Sequence, residues 1–306
     1  MSVAPVAVFG YNRADKLKMC LDALEKNELA DETDLFIFAD GAKRAEDSEK
    51  VGQVRDFIRR YRENSAFKEV IVVEQQHNLG LASSIIGGVT RVISKYQKVI
   101  VVEDDLIVSA DFLAYMNQAL DYYQDMKEYG SISAYTYPIP ELKSYDKDIY
   151  VTRKGDCWGW GTWYDRWKQA DWSVADFDAY LHDKKRRKAF DSIQKGIDSM
   201  LVAQQAGEID SWAVRWCYHL FNHQLLTVYP RISRTKNIGF DGSGVHCVDS
   251  KDSDKRFNDE GYSADDNGKI FFERLPVNRL LEKKAANYEQ LPWIKRLVLK
   301  IKDHIH

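Results

Sequence analysis

Cysteine is scarce in this sequence, and its four cysteines lie far apart. Cys20, Cys157, Cys217 and Cys247 form no C-x-x-C pair, which disfavours a zinc knuckle. Four scattered cysteines in a chain of 306 residues are typical of reduced thiols. The sequence also lacks an apolar run of about 18 residues, the length that a membrane-spanning helix needs. With no signal peptide recognisable at its start, we expect a cytoplasmic protein.

A large excess of one charge sign is missing too. Lysine and arginine number 44 against 47 aspartates and glutamates, which leaves a formal net charge of −3. The balance gives no reason to expect a nucleic-acid partner. Aromatic residues make up 12% of the chain and include eight tryptophans. Tryptophan and tyrosine often line sugar-binding clefts, but they fill protein cores equally well.

Two common phosphate-binding glycine motifs are absent. Neither G-x-G-x-x-G nor G-x-x-x-x-G-K-[ST] occurs anywhere in the chain. Dinucleotide binding and P-loop chemistry are therefore disfavoured.

The first third of the chain alternates apolar runs with segments of helical spacing. This alternation predicts a parallel sheet with right-handed crossovers, flanked by helices. The predicted strands are 5–9, 34–39, 69–74 and 99–102, and the predicted helices are marked by 17–27, 51–61 and 85–96.

The fourth predicted strand runs directly into three acids, Glu103, Asp104 and Asp105. They should lie at the carboxyl end of a parallel strand, where open α/β sheets bind ligands. Adjacent carboxylates repel one another, and a hard divalent cation with oxygen ligands would relieve that repulsion. The alternative is a polar turn with all three acids solvated.

Downstream of residue 110 the pattern becomes less regular. Short strands are predicted at 131–135, 149–152 and 225–229. Helices are predicted at 111–126, within 176–206 and from Asp210 onward. Residues 157–163 read as an aromatic, glycine-rich turn, and 249–268 as a mobile loop.

Several motifs in this order resemble those of GT-A glycosyltransferases, notably N-acetylglucosaminyltransferase I and related bacterial sugar transferases. The resemblance runs from about residue 5 to 247. The motifs that carry it are 11–13, Asp40, 101–106, 158–161, 210–212, 230–235 and 244–246. A GT-A, Rossmann-like fold follows from it, with a nucleotide-sugar half at 1–110, an acceptor-side half at 111–248 and a tail at 249–306.

The resemblance also implies roles for single residues. Arg13 and Asp40 match nucleoside-binding positions, Glu103 and Asp104 match contacts to ribose and sugar, Asp105 matches the ligand of Mn²⁺ (or Mg²⁺), and Asp210 matches the catalytic base. Asp210 could instead be only a helix cap, and Glu208 is the nearest rival as base. In many enzymes of this fold a histidine near the C-terminus completes the metal shell. His246 would be that second ligand unless it lies in a core or loop.

Three further residues are candidates for donor contacts. Asn78 follows the third strand and is placed to touch a diphosphate. Trp160 and Gly161 belong to a segment whose glycines permit close approach of a ligand, although tryptophan there is more often a packing residue.

These observations predict an inverting, metal-dependent glycosyltransferase. The donor would be a UDP-sugar resembling UDP-GlcNAc. The acceptor would be a glycan or a polyprenyl-diphosphate-linked saccharide, in bacterial surface polysaccharide synthesis. A sugar nucleotidyltransferase and a non-catalytic sugar-binding module are the alternatives.

The end of the chain carries a basic amphipathic pattern at 292–302. Its apolar residues recur at helical spacing between lysines and an arginine, as in helices that lie in an anionic membrane surface. Packing of the apolar face on the protein body is the alternative.

Overall fold

The structure is a computed structural model, and it describes residues 3–241, 257–258, 262–265 and 268–288. His246 and the segment 292–306 lie outside the described residues, so their proposed roles remain predictions.

Ten strands form in the described part of the chain. They are β1 (Val6–Gly10), β2 (Asp34–Ala39), β3 (Glu69–Glu74), β4 (Lys98–Glu103), β5 (Leu106–Val108), β6 (Tyr129–Ser133), β7 (Ile149–Thr152), β8 (Trp160–Trp163), β9 (Leu226–Pro230) and β10 (Thr235–Asn237). Eight of them make one sheet in the order β3-β2-β1-β4-β8-β6-β9-β7. Only β8 and β7 run against the common direction. The predicted α/β fold with a mainly parallel sheet is confirmed.

Helices cover the sheet. They are α1 (Ala14–Leu24), α2 (Ser48–Asn64), α3 (Leu81–Tyr96), α4 (Phe112–Tyr122), α5 (Tyr164–Trp167), α6 (Phe177–His182), α7 (Lys184–Asp191), α8 (Ile197–Gln205), α9 (Trp212–Asn222) and α10 (Arg279–Tyr288). The sequence did not predict α10. Within the described ranges, no helix is both long enough and apolar enough to cross a bilayer.

Strands β1, β2 and β4 are buried on both faces, which explains their continuous apolar runs, whereas β3 lies at the edge of the sheet and is only partly buried. Alternate residues of β1 serve two cores. Val6 and Val8 pack with α1 on one side. Ala7 and Phe9 pack with α3 on the other. The four strands are parallel, as the sequence predicted, and their order in the sheet is β3-β2-β1-β4.

The segment 176–206, predicted to be helical, is three helices. Asp183 ends α6 and caps α7 by accepting a hydrogen bond from the backbone N–H of Arg186. Gly196, with a positive φ of 88°, precedes α8. Capping residues at these two points explain the breaks.

The predicted aromatic turn at 157–163 contains a central strand instead. Strand β8 pairs antiparallel with both β4 and β6. A Cβ atom at Gly161 would lie 3.0 Å from the Met116 side chain and 3.0 Å from the Val99 carbonyl oxygen. Glycine at this position therefore lets α4 pack closely on the sheet.

Strands β5 and β10, which the sequence did not predict, form a separate antiparallel pair. Their pairing joins parts of the chain about 130 residues apart. Beyond β10, the N–H of Ile238 donates to the backbone carbonyl of Asp105 over 2.8 Å. The pair thus carries residues 238–241 to the end of β4.

Candidate active site

The carboxyl edge of the parallel strands gathers most of the predicted site residues. Arg13 follows β1, Asp40 follows β2, Asn78 follows β3, and Asp104 and Asp105 follow β4. Because neighbouring parallel strands end together, these side chains share one edge of the sheet.

Arg13 joins the two aspartates after β4. Its guanidinium bonds the Asp104 carboxylate, and its Nη2 lies 3.0 Å from Asp105 Oδ2. The Arg13 side chain is 17% exposed and those of Asp104 and Asp105 are 5% and 8% exposed. Burial lowers the pKa of Arg13, but the two carboxylates outweigh it, and the net pKa is raised. One guanidinium thus pairs with two of the three carboxyl groups of Glu103, Asp104 and Asp105, which together form the acidic cluster.

The excess acid in this cluster shows in the pKa values of its members. Burial, followed by the charges of Asp105 and Asp104, raises the pKa of Glu103 to about 8. Burial also raises the pKa of Asp104, against the opposing effect of Arg13. A cation would favour the ionised forms of these groups.

Asp105 has the free oxygen that a cation needs. Its Oδ1 is buried and has no hydrogen-bond partner among the described residues, while Oδ2 is held by Arg13. Carboxylate oxygens are ligands that hard divalent cations prefer, so the residues present fit Mn²⁺ or Mg²⁺. No three His, Cys, Asp or Glu side chains converge as a ligand set among the residues that the structure describes. A metal here would share few protein ligands with phosphate oxygens and water.

Residues 238–241 close over the acidic cluster. Gly239 lies so near that a Cβ there would be 2.4 Å from Asp105 Oδ2. Lys16 fastens the segment, because its Nζ donates to the Ile238 carbonyl over 2.9 Å and pairs with Asp241 Oδ2 over 2.7 Å. The sequence showed only a polar, glycine-rich stretch here, since this contact depends on the β5–β10 pairing.

The carboxylate of Asp40 is already hydrogen-bonded by neighbouring protein groups. Its carboxylate accepts hydrogen bonds from the N–H groups of Gly41 (2.8 Å), Leu79 (2.9 Å) and Gly80 (3.1 Å). The Asn78 amide donates to it over 3.1 Å and also donates to the Gly41 carbonyl over 2.9 Å. A carboxylate has about four acceptor sites, so no capacity remains for a uracil ring. In this structure Asp40 and Asn78 brace the loop before α3.

Asp40→Ala should therefore destabilise the fold. Its loss leaves several backbone N–H groups of the loop unpaired, and hydrogen bonds to charged groups contribute roughly 1.5–3 kcal/mol each. We expect the free energy of unfolding to fall by about 3 kcal/mol or more, measured by urea denaturation. Asp31→Ala, at an exposed aspartate, is the matched control. An unchanged midpoint for Asp40→Ala would contradict the bracing role.

Asp210 lies across the same loop. Its Oδ2 accepts a hydrogen bond from the N–H of Ala82, in the first turn of α3, over 3.1 Å. Its own helix is capped by Ser211, whose Oγ accepts from the N–H of Val214. The idea that Asp210 caps α9 is thus wrong, and the side chain is exposed beside Gly80.

Trp212 connects Asp210 to the acidic cluster. Trp212 comes two residues after Asp210, and its indole lies near enough to Glu103 to lower the pKa of that carboxyl group, against the effect of burial. The rival base Glu208 is exposed on the turn after α8. The structure therefore brings Asp210 to the same edge as Glu103, Asp104 and Asp105.

Trp160 and Gly161 do not reach this edge. The Trp160 side chain is fully buried and stacks on Trp212 with ring centroids 4.9 Å apart. Gly161 pairs with Ile100 and Ile132 in the middle of the sheet. Trp160 and Gly161 therefore have packing roles, and the expectation that they touch a donor does not agree with their positions.

Comparisons with known proteins give distant structural likenesses. No protein-family model matches the chain, and no curated protein matches its sequence. TarS of S. aureus matches with a TM-score of 0.33 and 15% identity over 42% of this chain and 20% of TarS. The galactosyltransferase LgtC, crystallised with donor and acceptor sugar analogues, matches with a TM-score of 0.39 and 10% identity over 71% of this chain and 70% of LgtC. Likenesses this distant carry no argument about the activity of this chain.

Proposed function

We propose that this protein is a metal-dependent, inverting glycosyltransferase of the GT-A kind that uses a UDP-sugar. The observation that carries the proposal is the unpartnered buried oxygen of Asp105, within an acidic cluster at the carboxyl edge of the sheet. The exposed carboxylate of Asp210 on the neighbouring loop supports it by supplying a second, separate acidic group. Transfer from a nucleotide sugar needs both a site for the diphosphate and a base for the acceptor.

The acidic cluster would form the donor side. Asp105 would hold Mn²⁺ or Mg²⁺, with His246 as a proposed second ligand. The bound ion would supply Lewis-acid stabilisation of the leaving diphosphate. Glu103 and Asp104 would contact ribose and sugar, and Arg13 keeps the two aspartates in place. Because residues 238–241 cover this cluster, donor binding requires that segment to move.

Asp210 would act on the acceptor. Its carboxylate takes the proton of the acceptor hydroxyl as that oxygen forms a bond to the anomeric carbon. The bond from that carbon to the diphosphate breaks, and the electron pair leaves with the diphosphate. Attack on the face opposite the leaving group inverts the anomeric centre.

Release of UDP tests this proposal against its rivals. The protein should slowly hydrolyse at least one UDP-sugar in Mn²⁺, and EDTA should stop the release. A sugar nucleotidyltransferase would instead consume a nucleoside triphosphate and release pyrophosphate, and a sugar-binding module would release nothing. Absence of UDP release from a full panel of donors would contradict the proposal.

A UDP-GlcNAc-like donor, a polyprenyl-diphosphate-linked acceptor and a membrane-surface location are the finer parts of the proposal. Four Lys or Arg residues in 292–302, each worth about 1 kcal/mol near anionic lipid, would allow reversible binding. We expect co-sedimentation with anionic liposomes that weakens with salt and disappears on deletion of 292–306. If the full-length and the truncated protein co-sedimented equally, the segment would not bind membranes, and its apolar face would pack on the protein body.

A further inference from the structure

A cleft separate from the acidic cluster opens further along the same edge of the sheet. It has a volume of about 260 Å³ and lies between the segment after β6 and the residues after β9. We propose that it binds an anionic sugar residue of the acceptor, one that carries a phosphate or a carboxylate group. This inference rests on the proposed glycosyltransferase function and names the chemistry of its acceptor.

The position of the cleft suits an acceptor that reaches the acidic cluster. Strands β6 and β9 are parallel to each other and share the direction of β4, so the cleft and the cluster lie on one edge. Ile238, whose backbone N–H donates to the Asp105 carbonyl, lies seven positions after Arg231 in the cleft. At about 3.3–3.6 Å per residue, this stretch spans at most about 25 Å. A saccharide of more than one sugar residue can cover that distance.

The charge of the cleft favours an anion. Arg231 supplies its positive charge, since Lys143, which also lines it, already has an interaction partner, and no Asp or Glu is among its lining residues in the described part of the chain. The backbone N–H of Arg231 donates to the Asp148 carbonyl over 2.7 Å. Its guanidinium makes no hydrogen bond or ion pair within the described residues. The nearby Glu141 is neutralised by Lys284. A half-exposed guanidinium presents a fork that fits phosphate or carboxylate oxygens.

The rest of the cleft suits a sugar ring. Pro138, Ile139 and Leu142 supply an apolar wall, and Tyr262 supplies an aromatic one. Tyrosine combines an apolar ring with a polar hydroxyl, which matches the mixed faces of a sugar. The volume is slightly below the roughly 300–1,000 Å³ of sites for drug-sized ligands, so one sugar residue fits better than a nucleotide.

Calorimetry with simple probes tests this site without turnover. Glucose 6-phosphate, glucuronate and methyl glucoside are titrated into the protein with UDP and Mg²⁺ in excess, which keeps the donor side filled. We expect at least one of the two anions to bind, and the neutral glycoside to bind at least about tenfold more weakly, as for a lost charged hydrogen bond. Comparison of the two anions shows whether phosphate or carboxylate is preferred.

Arg231→Gln should weaken anion binding by about tenfold or more, and Arg231→Lys should weaken it less because it keeps the charge but loses the fork. Arg91→Gln, at an exposed arginine on α3, changes the net charge equally and should bind as the wild type does. Unchanged circular dichroism shows that each variant is folded. Wild-type affinity in Arg231→Gln, or no binding of either anion to the wild type, would overturn the assignment. Because no transfer is measured, failure to turn over UDP-sugars would leave this result intact, and the two proposals fail separately.

Discussion

Asp105→Ala should abolish metal-dependent UDP binding while the protein stays folded. The substitution removes the buried Oδ1, the carboxylate oxygen that has no partner in the described part of the chain. Arg13 keeps its bond to Asp104, and the Ile238 N–H bonds the backbone of residue 105, which the substitution leaves in place. Since loss of even outer-shell partners costs about 10–100-fold in metal affinity, we expect UDP affinity in Mn²⁺ to fall by about 10²-fold or more.

Calorimetry with UDP in the presence and absence of Mn²⁺ measures this effect. Asp125→Ala, at an exposed aspartate beyond α4, provides the charge-matched control and should bind UDP normally. Thermal denaturation of both variants separates loss of binding from loss of fold. If Asp105→Ala bound UDP and Mn²⁺ like the wild type, the metal assignment would be wrong.

Asp210→Asn should separate catalysis from donor binding. Asparagine can still accept the hydrogen bond from the Ala82 N–H, because Asn and Asp are comparable caps. It cannot take a proton from an acceptor hydroxyl. Loss of a general base typically costs about 10²–10⁴-fold in rate, so kcat for transfer should fall by that factor while the Kd for UDP stays unchanged.

Glu208→Gln is the informative comparison for Asp210→Asn. Glu208 is exposed two residues before Asp210, and its carboxylate forms no hydrogen bond with the residues of α3. We expect near-normal transfer from Glu208→Gln. Full activity in Asp210→Asn together with a large loss in Glu208→Gln would move the base to Glu208.

The parallel half of the fold could be predicted because its signals are local. Strands β2, β3 and β7 have the bounds that the sequence indicated. Their apolar runs are continuous, and turn residues bound them. Helices α1 to α3 likewise show their buried faces as apolar residues at helical spacing.

The missed elements depend on distant partners. Strand β8 is defined by pairing with β4 and β6, and its Trp-Gly-Thr-Trp sequence carries no regular alternation of apolar and polar residues. The β5–β10 pair contains three residues in each strand. Segments this short give no reliable periodic signal by themselves.

The same distinction applies to the site. The positions of the predicted strand ends indicated that Arg13 and Asp105 share one edge of the sheet, and the structure brings them together. Asp210, expected across the cleft, lies beside the first turn of α3. The bracing role of Asp40 was not predictable, because its main partners are backbone N–H groups that any residue type supplies. The close approach of Gly239 to Asp105 depends on a strand pair that the sequence did not reveal.

A crystal structure with UDP and Mn²⁺ tests the central claim most directly, because manganese can be located by its anomalous scattering. We predict one manganese peak within coordination distance of the Asp105 carboxylate, with diphosphate oxygens among its other ligands and residues 238–241 shifted from the acidic cluster. Nucleotide bound away from β4, or no manganese at Asp105 with the Arg13–Asp105 ion pair and Gly239 unmoved, would contradict the account.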